Sequence, residues 1–261
     1  MKIYNIPCLK EILKPKWSHE IGFGFKGKNK SKLDSLEQGT TPEDKDLLKK
    51  IGINKKEKVL VIAGYYASWA QALKRGGAEV DYSDISKEIV NWVKKNEKTR
   101  FGKYICSNYE LIPKKEKEYD YTFTYEACGG GRGLPIAYLR SLLNNKGGIL
   151  MLHLGSKEHQ KANTPKLKRY PDIVKTLAQI YDSKYFIINK KIKVHKRGEK
   201  VIKNSKFLIC KILTNKNARE LAKQDLIALE SNKFSKDNLE RLNKLSNLIS
   251  AEKCVKKVKV I

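Results

Sequence analysis

Acidic side chains are few beside basic ones in this chain: 28 Asp and Glu stand against 55 Lys and Arg, a formal net charge of +27 over 261 residues. Cysteine is sparse as well. Cys8, Cys106, Cys128, Cys210 and Cys254 are odd in number, and no two have the close spacing of a zinc knuckle or a redox dithiol. That excludes a disulfide scaffold, and reduced thiols with a cytoplasmic setting are expected instead. No run approaches the roughly 18 apolar residues that a membrane span needs. The opening MKIYNIPCLKEILKPKW lacks the apolar centre of a secretory signal. Neither a membrane partner nor a metal site is expected, and no internal repeat is visible. Hydrophobic residues still make up 40% of the chain, enough for the core of one large domain, which excludes global disorder.

The positive charge is unevenly placed. Residues 1–150 hold 28 basic and 18 acidic side chains, a net of +10; residues 151–261 hold 27 and 10, a net of +17. The shorter part carries most of the excess, which points to a polyanionic partner, RNA before others. A lysine-rich proteome is the plainer explanation, although acidic residues normally rise alongside in that case.

Apolar runs and amphipathic segments alternate along the chain. KVLVIA (58–63) reads as a buried strand and SWAQALKR (68–75) as the helix after it, closed by Gly76 and Gly77. AEVDYSD (78–84) is a second strand ending in acid, followed by a helix with Ile89, Val90 and Val93 on one face. KYICSN (103–108) and EYDYTFTYEA (118–127) are the third and fourth strands. A helix near Pro135 carries Ile136, Leu139, Leu142 and Leu143, and Gly147-Gly148 turns into a fifth strand, GILMLHLG. A helix over 171–182 precedes KYFIINKKIKVH and KFLICKIL, which read as an antiparallel pair. Two helices follow, free to pack on their own sheet, on a second copy or on another partner. Five strand–helix alternations predict an α/β fold: a Rossmann-like doubly wound sheet, mostly parallel, with an antiparallel edge hairpin. The expected division is an N-terminal arm (1–40), a central domain (41–213) and a basic helical extension (214–261). Ligands in such sheets bind beyond the carboxyl ends of the strands, here Gly64, Asp84, Asn108, Glu126 and His153.

This order of elements, with GGAEVDYSDISKEIVNWVKKN, SNYELIP and the EYDYTFTYEA…YLRSLLNNKGGILML stretch, resembles the class I S-adenosylmethionine-dependent methyltransferases over roughly residues 40–213. The resemblance implies S-adenosyl-L-methionine as cofactor. In that family an acid at the end of the second strand binds both ribose hydroxyls, which places Asp84, with its neighbour Ile85, in that role. A carboxylate suits it because it accepts two hydrogen bonds; Asp84 equally suits a helix cap beside Ser86. Asn108, with Tyr109, matches the adenine segment, or else simply forms a turn. The turn after the first strand departs from the family. Val61 stands for the acid, and of Ala63, Gly64, Tyr65 and Ala67 only Gly64 keeps a glycine. Ala63, Gly64 and Tyr65 are nevertheless the positions that would line the cofactor. The same GYYAS lacks the G-x-G-x-x-G of nicotinamide enzymes.

At the acceptor side TYEACGGGRG (124–133) lacks the N-P-P-Y type motif of base-amino methylation. Glu126 is placed as a general base and His153 as a proton acceptor near neutral pH, or as a core-edge histidine. Cys128 reads as a buried or incidental thiol. Arg132 reads as an anchor for phosphate or carboxylate. Trp17, His19 and Phe23, interleaved with lysines, suit stacking against bases, and equally an arm docked on the core. The expected function is methyl transfer to RNA (tRNA or rRNA). A small-molecule methyltransferase of cofactor or metabolite biosynthesis is one alternative, and a non-catalytic RNA-binding scaffold on the same fold is another. A homodimer is compatible with either.

Overall fold

The computed structural model describes residues 40–62, 67–84, 87–96, 100–106, 118–125, 133–154, 170–196, 201–231 and 233–250. The KVLVI run forms β2 (Lys58–Ile62), buried at four of five positions, because a strand covered on both faces needs apolar side chains on both. It runs parallel to β3 (Glu79–Asp84) on one side and to β5 (Tyr121–Tyr125) on the other. β4 (Tyr104–Cys106) continues the parallel sheet beyond β3, and β6 (Gly147–His153) beyond β5. β7 (Lys184–Lys196) and β8 (Lys203–Leu213) pair antiparallel, and β8 returns antiparallel along β6.

The full order is β1-β7-β8-β6-β5-β2-β3-β4. β1 (Thr40–Pro42) lies outside β7, pairing Thr40 with Lys196 and Pro42 with Val194. The hairpin expected at the edge is therefore not the edge. A three-residue Thr-Thr-Pro segment has no alternation from which a strand is read; β7 imposes its conformation, and an outer strand tolerates the proline. α1 (Leu47–Ile51) was likewise invisible in the pattern and ends at Gly52, whose φ of 76° is left-handed.

α1, α2 (Ser68–Arg75) and α3 (Lys87–Asn96) cover one face of the sheet, where Val59, Val61, Val80, Tyr82, Phe123, Met151 and Ile209 form the core with Leu73 and Val93. α4 (Gly133–Leu142), α5 (170–180), α6 (Lys216–Ser231) and α7 (Lys236–Ser250) cover the other, around Leu150, Cys210 and Ile212. α5 stops two residues short of the expected 182, since Asp182 turns the chain at φ 47°. The last two helices supply Ala218, Ala222, Leu226, Leu242 and Leu245 to this core, so their apolar faces close on their own sheet. At the start of β6, Gly147 has φ 124°, and a Cβ there would strike the Ile212 backbone. A Cβ on Gly148 would strike Ser141 Oγ, which bonds to Thr122 Oγ1 at 2.9 Å across the helix–sheet seam.

Candidate active site

The chain leaves β2 for β3 and β4 on one side, then crosses to β5 and β6 on the other. That reversal is a topological switch point, and open α/β sheets take ligands at the carboxyl ends of the strands beside it, here β2 and β5. Asp84 closes β3, the strand beside β2, in register with Cys106 of β4. It shares the α2 face with Val80 and Tyr82, four and two residues earlier. The residue is 95% buried, an environment that a charged group tolerates only with hydrogen-bonding partners.

His153 ends β6 on the same face and at the same end of the sheet, three strand intervals from Asp84, or about 14 Å by strand spacing. It is half-buried and stacks on Phe207 of β8, its register partner, with ring centroids 4.8 Å apart. Between the two stands Tyr125, the last described residue of β5. Trp69, in the first turn of α2, lies over this rim, 4.8 Å from the Tyr125 ring and 5.4 Å from Phe207. Trp69 is buried, and its indole Nε1 has no hydrogen-bond partner among the described residues. Trp69 and Phe207 belong to the hydrophobic core beneath this rim, and Tyr125 and His153 are its partly exposed members.

Of the positions read from the sequence, Asp84 and His153 are brought to one end and one face. Trp17, His19, Phe23, Ala63, Gly64, Tyr65, Ile85, Asn108, Tyr109, Glu126 and Arg132 lie outside the described residues. Trp69, Tyr125 and Phe207 escaped the sequence reading. Tyr125 and Phe123 were legible as one face of an alternating strand, but nothing local says that Trp69 and Phe207 meet them. Among the described residues no group of three or more His, Cys, Asp or Glu could hold a metal. No described helix is long and apolar enough to cross a membrane.

No family model and no curated protein matches the chain. Solved structures do. A protein from Bacillus halodurans, provisionally a methyltransferase, is 12% identical over 64% of this chain and 96% of its own, with a TM-score of 0.44. A provisional RNA methyltransferase from Pyrococcus horikoshii is 11% identical over 79% and 98%, with a TM-score of 0.39. Precorrin-6y C5,15-methyltransferase from Geobacter metallireducens is 10% identical over 74% and 93%, with a TM-score of 0.37. All three are named for methyl transfer. At such scores none of the three assigns this chain an activity, and their acceptors differ.

Proposed function

We propose that this protein is an S-adenosylmethionine-dependent methyltransferase whose acceptor is RNA. The observation that carries the reading is Asp84, a buried carboxylate closing the strand next to the switch-point strand, where a ribose diol would find two acceptor oxygens. The donor set fits the cofactor in this respect. Asp84 would hold the ribose, with Ile85, Ala63, Gly64, Tyr65, Asn108 and Tyr109 completing the enclosure. Bound S-adenosylmethionine supplies a methyl group on a positively charged sulfur. The acceptor would lie against the partly exposed Tyr125 ring, contacted also by Trp17, His19, Phe23 and Arg132. His153 or Glu126 takes the proton that the acceptor releases. The +27 charge supports an RNA acceptor, since it favours a polyanion at long range.

Calorimetric titration of the full chain with S-adenosylmethionine tests this, repeated with Asp84→Ala. Micromolar binding that weakens at least about tenfold in the variant is expected, because a hydrogen bond to a charged acceptor is worth about 1.5–3 kcal/mol. Absence of binding at millimolar cofactor refutes the enzyme and leaves an RNA-binding scaffold on the same fold.

A further inference from the structure

β6 ends at His153, but the β7–β8 hairpin does not end with it. Register pairs place His153 opposite Phe207 and Phe207 opposite Lys190, so the rung that bears the aromatic rim continues directly into a lysine. Beyond that rung the two strands go on as a ribbon, from Lys190 to Val194 on β7 and back from Lys203 to Phe207 on β8. By strand rise this extension is about 13 Å long. Lys190, Lys191, Lys193, Lys203 and Lys206 are all exposed along it. Strands β7 and β8 contain no acidic residue. Among the described residues, Glu43 and Asp44 reach the ribbon and are already engaged, Glu43 by His195 and Asp44 by Lys50 and the Lys193 backbone N–H.

Lys191 stands directly opposite Lys206. Like charges facing each other across an antiparallel pair destabilise the hairpin, so folding alone does not account for this pair, and a bound anion would relieve it. We infer that the β7–β8 ribbon is the docking surface for the phosphate backbone of a single-stranded RNA, leading it to the partly exposed Tyr125 and His153. The inference rests on the RNA reading above and adds the place where the strand lies. Phosphates lie along the lysines while a base at the inner end meets the Tyr125 or His153 ring, the pairing of charge and stacking that single-strand binders use.

The test measures binding of a fluorescein-labelled single-stranded RNA of mixed sequence by anisotropy, between about 50 and 200 mM salt. Three variants are compared with the wild type: Lys191→Gln/Lys206→Gln, Lys191→Glu, and the charge-matched control Lys94→Gln/Lys95→Gln on α3. The ribbon double variant is expected to bind about tenfold more weakly. Its log–log salt slope should be shallower by about 1.4, since each phosphate that a lysine neutralises on a single strand adds roughly 0.7 to the slope. The control should bind as the wild type does. Lys191→Glu should melt higher while binding RNA more weakly, because it turns the facing lysines into an ion pair; a merely solvated surface would not move the two readouts in opposite directions. S-adenosylmethionine titrations should be unchanged in all three. Equal losses in ribbon and control variants would overturn the docking surface while the RNA reading stands. Cofactor binding without any RNA binding by the wild type would overturn both surface and RNA acceptor, leaving the methyltransferase. RNA binding that depends on the ribbon in a chain that binds no cofactor would support the surface and overturn the enzyme.

Discussion

Replacing Asp225 with alanine should be among the most damaging single changes in this protein. Asp225 lies on α6 and is fully buried. Its carboxylate accepts from Tyr181 Oη at 2.9 Å, from Asn238 Nδ2 at 2.8 Å, and from Arg241 Nε at 3.0 Å and Nη2 at 2.7 Å. The end of α5, α6 and α7 are therefore tied at one point beneath the sheet. Alanine removes the acceptor and strands three donor side chains, one of them a guanidinium whose side chain is only 13% exposed. Breaking a buried pair in this way costs about 3–5 kcal/mol. At about 2–4 °C per kcal/mol for a chain of this size, the melting temperature should fall by roughly 6–20 °C. Arg241→Leu should cost a comparable amount, since the carboxylate then rests on two neutral donors. The double variant should lose less than the sum, because the second change removes a charge that the first had already orphaned. Urea denaturation followed by helical circular dichroism measures all three. A loss below about 1 kcal/mol for Asp225→Ala, the range of exposed ion pairs, would refute the reasoning. So would strictly additive single effects.

Gly148→Ala should destabilise by about 1–3 kcal/mol, because the new methyl strikes Ser141 Oγ and Thr122 Oγ1; an unchanged melting temperature would show that α4 can shift off the sheet. Burial alone would raise the Glu57 carboxyl, but hydrogen bonds from Lys146 and from the Asn54 backbone and side chain outweigh it and hold the folded value below the ordinary 4.5. The stability that Glu57 gives is thus complete above that unfolded value and is lost as pH falls through the lower folded one. Glu57→Gln should therefore melt lower than the wild type near neutral pH and converge with it in acid, whereas a difference that persists in acid refutes the ionic account. On the proposed reading with His153 rather than Glu126 as proton acceptor, His153→Ala should slow methyl transfer by roughly 10²–10⁴-fold and alter its pH profile, leaving cofactor affinity intact. A parallel loss of cofactor binding would place His153 in packing instead.

The β2 run, the alternation of β5 and the helical spacing in α3 and α4 were legible because each side chain answers to a local rule: continuous apolar residues for a doubly covered strand, period two for a pleat, period near 3.6 for a helix face. From those elements the sequence determined a doubly wound sheet, and the sheet brought Asp84 and His153 to one end and one face. The tertiary structure alone decided what local rules do not touch. β1 is a strand only because β7 offers it hydrogen bonds, and it takes the outer place that the hairpin was expected to hold. Trp69, Tyr125 and Phe207 lie far apart in the chain and pack together because the pairing of β5, β6 and β8 brings their elements side by side. The Asp225 knot and the facing Lys191 and Lys206 are likewise matters of register and packing. Periodicity states which way a side chain points; only the long-range pairing of strands and helices states what it meets.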